Sequence, residues 1–79
     1  MNTRTYTYSS HVPLPVKETA KRVRRWAHRR IYVHAVKVTA YRVTITLDHI
    51  PTDEHNRAVN HLSRILDRLF DQALLNPVS

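Results

Sequence analysis

The period of hydrophobic and polar positions changes several times along the chain, and each change marks an element. Residues 3–8, Thr-Arg-Thr-Tyr-Thr-Tyr, alternate with period two. Tyr6 and Tyr8 share one side and Thr3, Thr5 and Thr7 the other, all of them β-favouring, which predicts a first strand over 3–8. Ser9, Ser10, Pro13 and Pro15 then form a connector, because each proline fixes its own φ and pushes the preceding residue toward extended geometry.

From Val16 the period becomes helical. Val16, Ala20, Val23 and Ala27 form an apolar stripe and predict an amphipathic helix over 16–30. Its end is set near Arg30, which would enter the apolar stripe if the helix continued, and the residues that follow are β-branched. Residues 31–47 exceed one ordinary strand and divide into a hairpin of Ile31–Val36 and Tyr41–Leu47. Between them, Lys37-Val38-Thr39-Ala40 offers no Gly, Asn, Asp or Pro to a tight turn, which leaves one long bent strand, exchanged across a dimer or not, as the alternative. Tyr41, Val43, Ile45 and Leu47 alternate with Arg42, Thr44 and Thr46 and assign the core face of the second strand. For the first, Ile31, Val33 and Ala35 inward would leave Tyr32 and His34 outward.

The last pattern is a helix over 52–75. Thr52 is the expected N-cap, Asp53 and Glu54 suit the positive N-terminal dipole, and Pro77 is the expected stop. Ala58, Val59, Leu62, Ile65, Leu66, Leu69, Phe70 and Ala73 share an arc of about 140° on the helical wheel. Asn56, Asn60, Arg64, Asp67, Arg68 and Asp71 lie opposite. The expected architecture is a single α+β domain over 1–79, ordered β-α-β-β-α, with both helices on one face of a three-stranded sheet. Its Thr-rich face would be left open or covered by a partner, and dimerisation through that face or an edge would add to so small a core.

Composition narrows the class. Of 79 residues, 42% are hydrophobic and 24% charged, which suits a folded domain rather than a disordered chain. Without cysteine there is no disulfide, thiolate nucleophile or Cys-ligated zinc, and a reducing compartment is expected. No apolar h-region and no membrane-length apolar run occur, so a soluble, cytoplasmic protein without a membrane partner is expected.

Charge changes the picture most. The net charge is +7, and it is unevenly placed. Residues 1–47 hold ten of the thirteen Lys and Arg against one acid, Glu18, whereas 48–79 hold three Arg against five acids. The first helix concentrates the excess: Lys17, Lys21, Arg22, Arg24, Arg25 and Arg29, with His28, sweep about 160° of its wheel. Such a row can neutralise several phosphates at once, each releasing counterions and adding sequence-independent affinity, and Arg adds bidentate geometry. The bland alternative is a solvated polar face, against which stands the mutual repulsion of so many like charges. These six residues are the candidate nucleic-acid contacts.

The remaining features carry less chemistry. Trp26, at the margin of the apolar stripe, is expected in the core rather than stacked on a base. Tyr32, His34, Arg42 and the threonines suggest a single-strand platform on the open sheet face, without an RNP-like consensus. Six histidines occur, but no pair sits at i,i+4 on a helix, so no metal site is expected. With no glycine there is no phosphate-cradling loop, and no nucleophile or carboxylate pair stands in a recognisable frame, so neither a catalytic site nor a cofactor is expected.

Leu14-Pro15 before the first helix, Arg29-Arg30 near its end, and Ile65-Leu66 through Phe70, Asp71 and Ala73 in the last helix resemble the DNA-damage-inducible protein I (DinI-like) family. Its members are small modulators of RecA filaments, and the likeness spans most of residues 3–75. It implies the same β-α-β-β-α order and a protein partner within a nucleoprotein filament, met by an acidic C-terminal helix. Here that helix alternates Arg64, Asp67, Arg68 and Asp71, and the dense charge is positive and lies on the other helix. The leading expectation is therefore a small accessory or regulatory protein that binds nucleic acid, DNA or RNA, through its first helix. A protein-interaction module acting on an acidic protein or nucleoprotein, and a purely structural homodimer, are the alternatives.

Overall fold

The structure is a computed structural model and describes residues 3–75. Its elements run β1 (Thr3–Ser9), α1 (Val16–His28), β2 (Val33–Val38), β3 (Arg42–Asp48) and α2 (Thr52–Leu75). The strands form one antiparallel sheet in the order β1-β3-β2. This is the expected α+β class with the expected element order.

The central strand follows from its alternation. Val43, Ile45 and Leu47 are essentially buried, while Thr44 and Thr46 point to the opposite face. In register, β1 places Arg4, Tyr6 and Tyr8 beside Leu47, Ile45 and Val43, so its tyrosines join the helix-covered face and its threonines the open one. From α2 the core receives Ala58, Leu62, Leu66 and Leu69, and from α1 Val23 and Trp26. Each fully buried Val, Leu or Ile contributes roughly 1.5–3 kcal/mol relative to exposure.

Several boundaries differ from the sequence expectation, each for a local reason. Helix α1 ends at His28 rather than Arg30, with Arg29 at its C-cap at φ −92° and ψ 2°. Arg30 turns back instead, donating from its backbone N–H to the Ala27 carbonyl and from Nη1 to the Trp26 carbonyl at 2.7 Å. Its side chain thus occupies an orphan acceptor of the last helical turn. Ile31 lies in the turn that follows and is 96% exposed, so it is not an inward strand residue. Tyr32 is also outside the strand and packs against the core.

An irregularity between Val33 and Ala35 then resets β2. Val33 faces Leu47, but Val36 and Val38 face Ile45 and Val43, which turns Ala35 outward, contrary to simple alternation. A β-bulge has this effect because one extra residue shifts the side-chain parity. His34, at the bulge, lies against the Asp48 carboxylate on the open side.

The glycine-free turn forms a hairpin, with no positive φ among the described residues. Thr39 and Arg42 close it: the Thr39 N–H donates to the Arg42 carbonyl at 2.8 Å, and the Arg42 N–H to Thr39 Oγ1 at 3.0 Å. A threonine hydroxyl thereby substitutes for a backbone partner. Tyr41 belongs to this turn and is 56% exposed rather than in the core. The carbonyls of Ala40 and Tyr41 accept from the N–H groups of Leu14 and Ser10, tying the β1–α1 connector to the hairpin.

Both helices start directly after a proline. The carbonyls of Pro15 and Pro51 accept from Thr19 and His55, so Thr52 is the first helical residue of α2 rather than its cap. On α1, Val16 is exposed and Thr19 is fully buried, a shift of the buried stripe from the expected one. The α2 stripe is as expected, and the expected stop, Pro77, lies outside the described residues.

Candidate nucleic-acid interface

Lys17, Lys21, Arg22, Arg24 and Arg25 of α1 and Arg29 at its C-cap are all exposed, on an arc that runs from the side opposite Thr19 and Val23 round to Arg22 beside Trp26. The helix brings the six into one surface because about 100° per residue collects alternate members of the run on one side. Glu18 is the only acid on this helix, and it is taken by Arg22, whose Nε donates to Oε1 at 2.9 Å. That bond, with the charge of Lys21 and Arg25 nearby, holds the Glu18 carboxyl below its ordinary value of 4.5. No other ion pair among the described residues involves the six cations. Five of them therefore project charge with no acid to satisfy.

Arg30, the seventh cation of this run, has a different task. Its guanidinium lies 4.9 Å from the centroid of the Trp26 ring, and Nη2 donates to His61 Nδ1 of α2 at 3.3 Å. Trp26 is 4% exposed, and its indole N–H donates to the Ala58 carbonyl at 3.2 Å. Trp26 is thus a joint between the helices and offers no free ring face to a base.

Two concavities lie along that joint. One, of about 180 Å³, is lined by Arg22, Arg25, Trp26, His61 and Ile65. The other, of about 410 Å³, is lined by Arg30, Tyr32, Glu54, Arg57, Ala58 and His61. Arg57 of α2 thus stands beside Arg30, and His61 beside Arg22 and Arg25, a juxtaposition the alternating charge of α2 conceals. The clue in the sequence is the spacing of Arg57, His61, Arg64 and Arg68, at i, i+4, i+7 and i+11.

The aromatic ring of the open sheet face is Tyr41 rather than the expected Tyr32, which packs against the core. At its hairpin end, Ser9, Ser10, Lys37, Thr39, Tyr41, Arg42 and Thr44 line a shallow concavity of about 410 Å³. It brings two cations together with hydroxyl groups, far fewer than α1 presents.

The opposite flank of α2 is used structurally. Tyr8 donates to Asp67 Oδ1 at 3.0 Å, and Tyr6 shares a hydrogen bond of 2.8 Å with Ser63. Burial, then the Asp67 hydrogen bond and charge, push the Tyr8 hydroxyl from 10.0 up to about 12. His11 packs edge-on against Phe70 with ring centroids 5.3 Å apart.

Among the described residues no three His, Asp or Glu gather as a metal-ligating group, and no helix is long and apolar enough to cross a membrane. No protein-family model, curated protein or solved structure matches the chain.

Proposed function

We propose that this protein is a small, basic, cytoplasmic accessory or regulatory protein that binds the phosphate backbone of nucleic acid through α1, with little sequence selectivity. The observation that carries this reading is the row of exposed cations on α1, only one of which has an acid partner among the described residues. Lys17, Lys21, Arg22, Arg24, Arg25 and Arg29 are the phosphate contacts. The fold does not require them: α1 is held by Val23, Trp26 and Arg30 from its other side. A surplus of like charge that packing does not use costs self-repulsion, which a polyanion relieves. Selectivity is weak because the row meets phosphates rather than base edges.

Mobility shifts at low salt with duplex DNA, single-stranded DNA and RNA test the reading. Binding to at least one, weakening as salt rises, is the expected result. No shift with any of them contradicts it. Affinity purification with and without nuclease addresses the acidic-protein alternative, including a filament-modulating role of the DinI-like kind: a partner retained after nuclease treatment favours it.

A further inference from the structure

The charges of α2 alternate in sequence, but its cations share one side in space. Arg57, His61, Arg64 and Arg68 fall on one side of the helix by their spacing. Arg57 and His61 line the concavities beside α1, so the first part of this stripe borders α1, and Arg64 and Arg68 continue it by their spacing. Asp67 instead meets Tyr8 on the β1 flank, and the charge of Asp71 also acts on Tyr8. The helices run antiparallel: Arg30 meets His61 and Trp26 meets Ala58, while Arg22 and Arg25 sit by His61 and Ile65. A groove between α1 and α2 therefore has cations on both walls.

Its floor is different. In the narrower section, Ile65 and Trp26 supply apolar surface beside Arg22 and Arg25. In the wider section the half-buried Tyr32 lies beside Arg30 and Arg57. Glu54 is the one acid lining either section. Two cationic walls over an apolar and aromatic floor suit a strand whose phosphates and bases are both accessible. A duplex keeps its base faces stacked inside and would meet only the outer row of α1.

Resting on the nucleic-acid reading above, we propose that the α1–α2 groove is the track of a single-stranded segment of DNA or RNA. Arg22 and Arg25 hold phosphates from one wall and Arg57, Arg64 and Arg68 from the other. Bases lie against Ile65 and Tyr32. The footprint thus extends from α1 onto a helix whose net charge gives no hint of it.

The test is fluorescence anisotropy of the full chain with a dye-labelled single strand and a duplex of equal length, across a salt series. Wild-type protein should prefer the single strand. The variant Arg57→Glu/Arg64→Glu/Arg68→Glu should lose more than about tenfold in single-strand affinity, with a shallower salt slope, and much less in duplex affinity. Circular dichroism checks folding, and Arg64→Glu alone, at an exposed helix position, keeps the question answerable if the triple variant unfolds. Unchanged single-strand affinity in the folded variants, or equal wild-type affinity for duplex, overturns the groove while leaving the α1 reading intact. Absence of wild-type binding to either nucleic acid overturns both.

Discussion

The two flanks of α2 use their polar side chains in different ways. On the β1 flank, Ser63 and Asp67 are partnered by Tyr6 and Tyr8, across 57 and 59 residues of sequence. On the other flank, Trp26 and Arg30 make the joint with α1, and Arg57, Arg64 and Arg68 remain exposed. Polar groups that fix the fold are paired and close to a neighbour. Those of the cationic stripe are exposed, alike in charge and outside the core. The contrast separates polarity that ties α2 to a neighbouring strand from polarity that does not.

The largest effect expected from breaking this contrast is at the joint itself. Trp26→Ala removes a buried indole, its bond to Ala58 and the ring under Arg30, and should destabilise the fold by about 3–5 kcal/mol. Chemical denaturation measures it. A loss below about 1 kcal/mol would mean the helices are joined elsewhere. Next in size, Arg25→Glu/Arg29→Glu should reduce nucleic-acid affinity more than about tenfold while leaving the denaturation midpoint nearly unchanged, because both residues are exposed.

The β1 flank has a pH signature. The Tyr8 hydroxyl titrates at about 12 in the folded chain against 10.0 when unperturbed. Its folded value is raised, so its contribution is complete below pH 10 and is lost as pH rises through 10 toward 12. Thermal melting across that range should fall in the wild type, with the part due to this hydroxyl missing in Tyr8→Phe. Identical pH profiles for the two would contradict the assignment. The smallest effect is at Glu18→Gln, which frees Arg22 from its one acid. Melting should scarcely change, and affinity for nucleic acid should rise by roughly twofold, with a slightly steeper salt slope.

How much of this could be read from the sequence depended on whether a local pattern decided the outcome. Helix α2 spans 52–75 as its periodicity requires, and the Val43–Ile45–Leu47 alternation assigns the central strand correctly, because burial on one face repeats at fixed spacing. The β2 parity was not legible. Ile31, Tyr32 and Val33 all suit a strand, and only pairing with β3 places the irregularity at His34. The end of α1 was legible to within two residues, from Arg30 entering the apolar stripe and the β-branched run after it, but the return of Arg30 to the Trp26 carbonyl was not. For the candidate site, the α1 row was evident from density alone. The α2 stripe was not, because Asp67 and Asp71 interrupt it in sequence and only the neighbouring β1 shows that they belong to the other flank.

The central claim is that the unpaired cations of α1 meet phosphate, and the salt dependence of affinity measures this directly. Titrating wild-type protein and Arg25→Glu/Arg29→Glu with the same oligonucleotide over a salt series gives a slope for each. The account predicts a wild-type slope of log affinity against log salt steeper than about −2, from three or more phosphate contacts, and a markedly shallower slope in the variant. Affinity that is absent at low salt, or that is insensitive to salt and to the two substitutions, would contradict it.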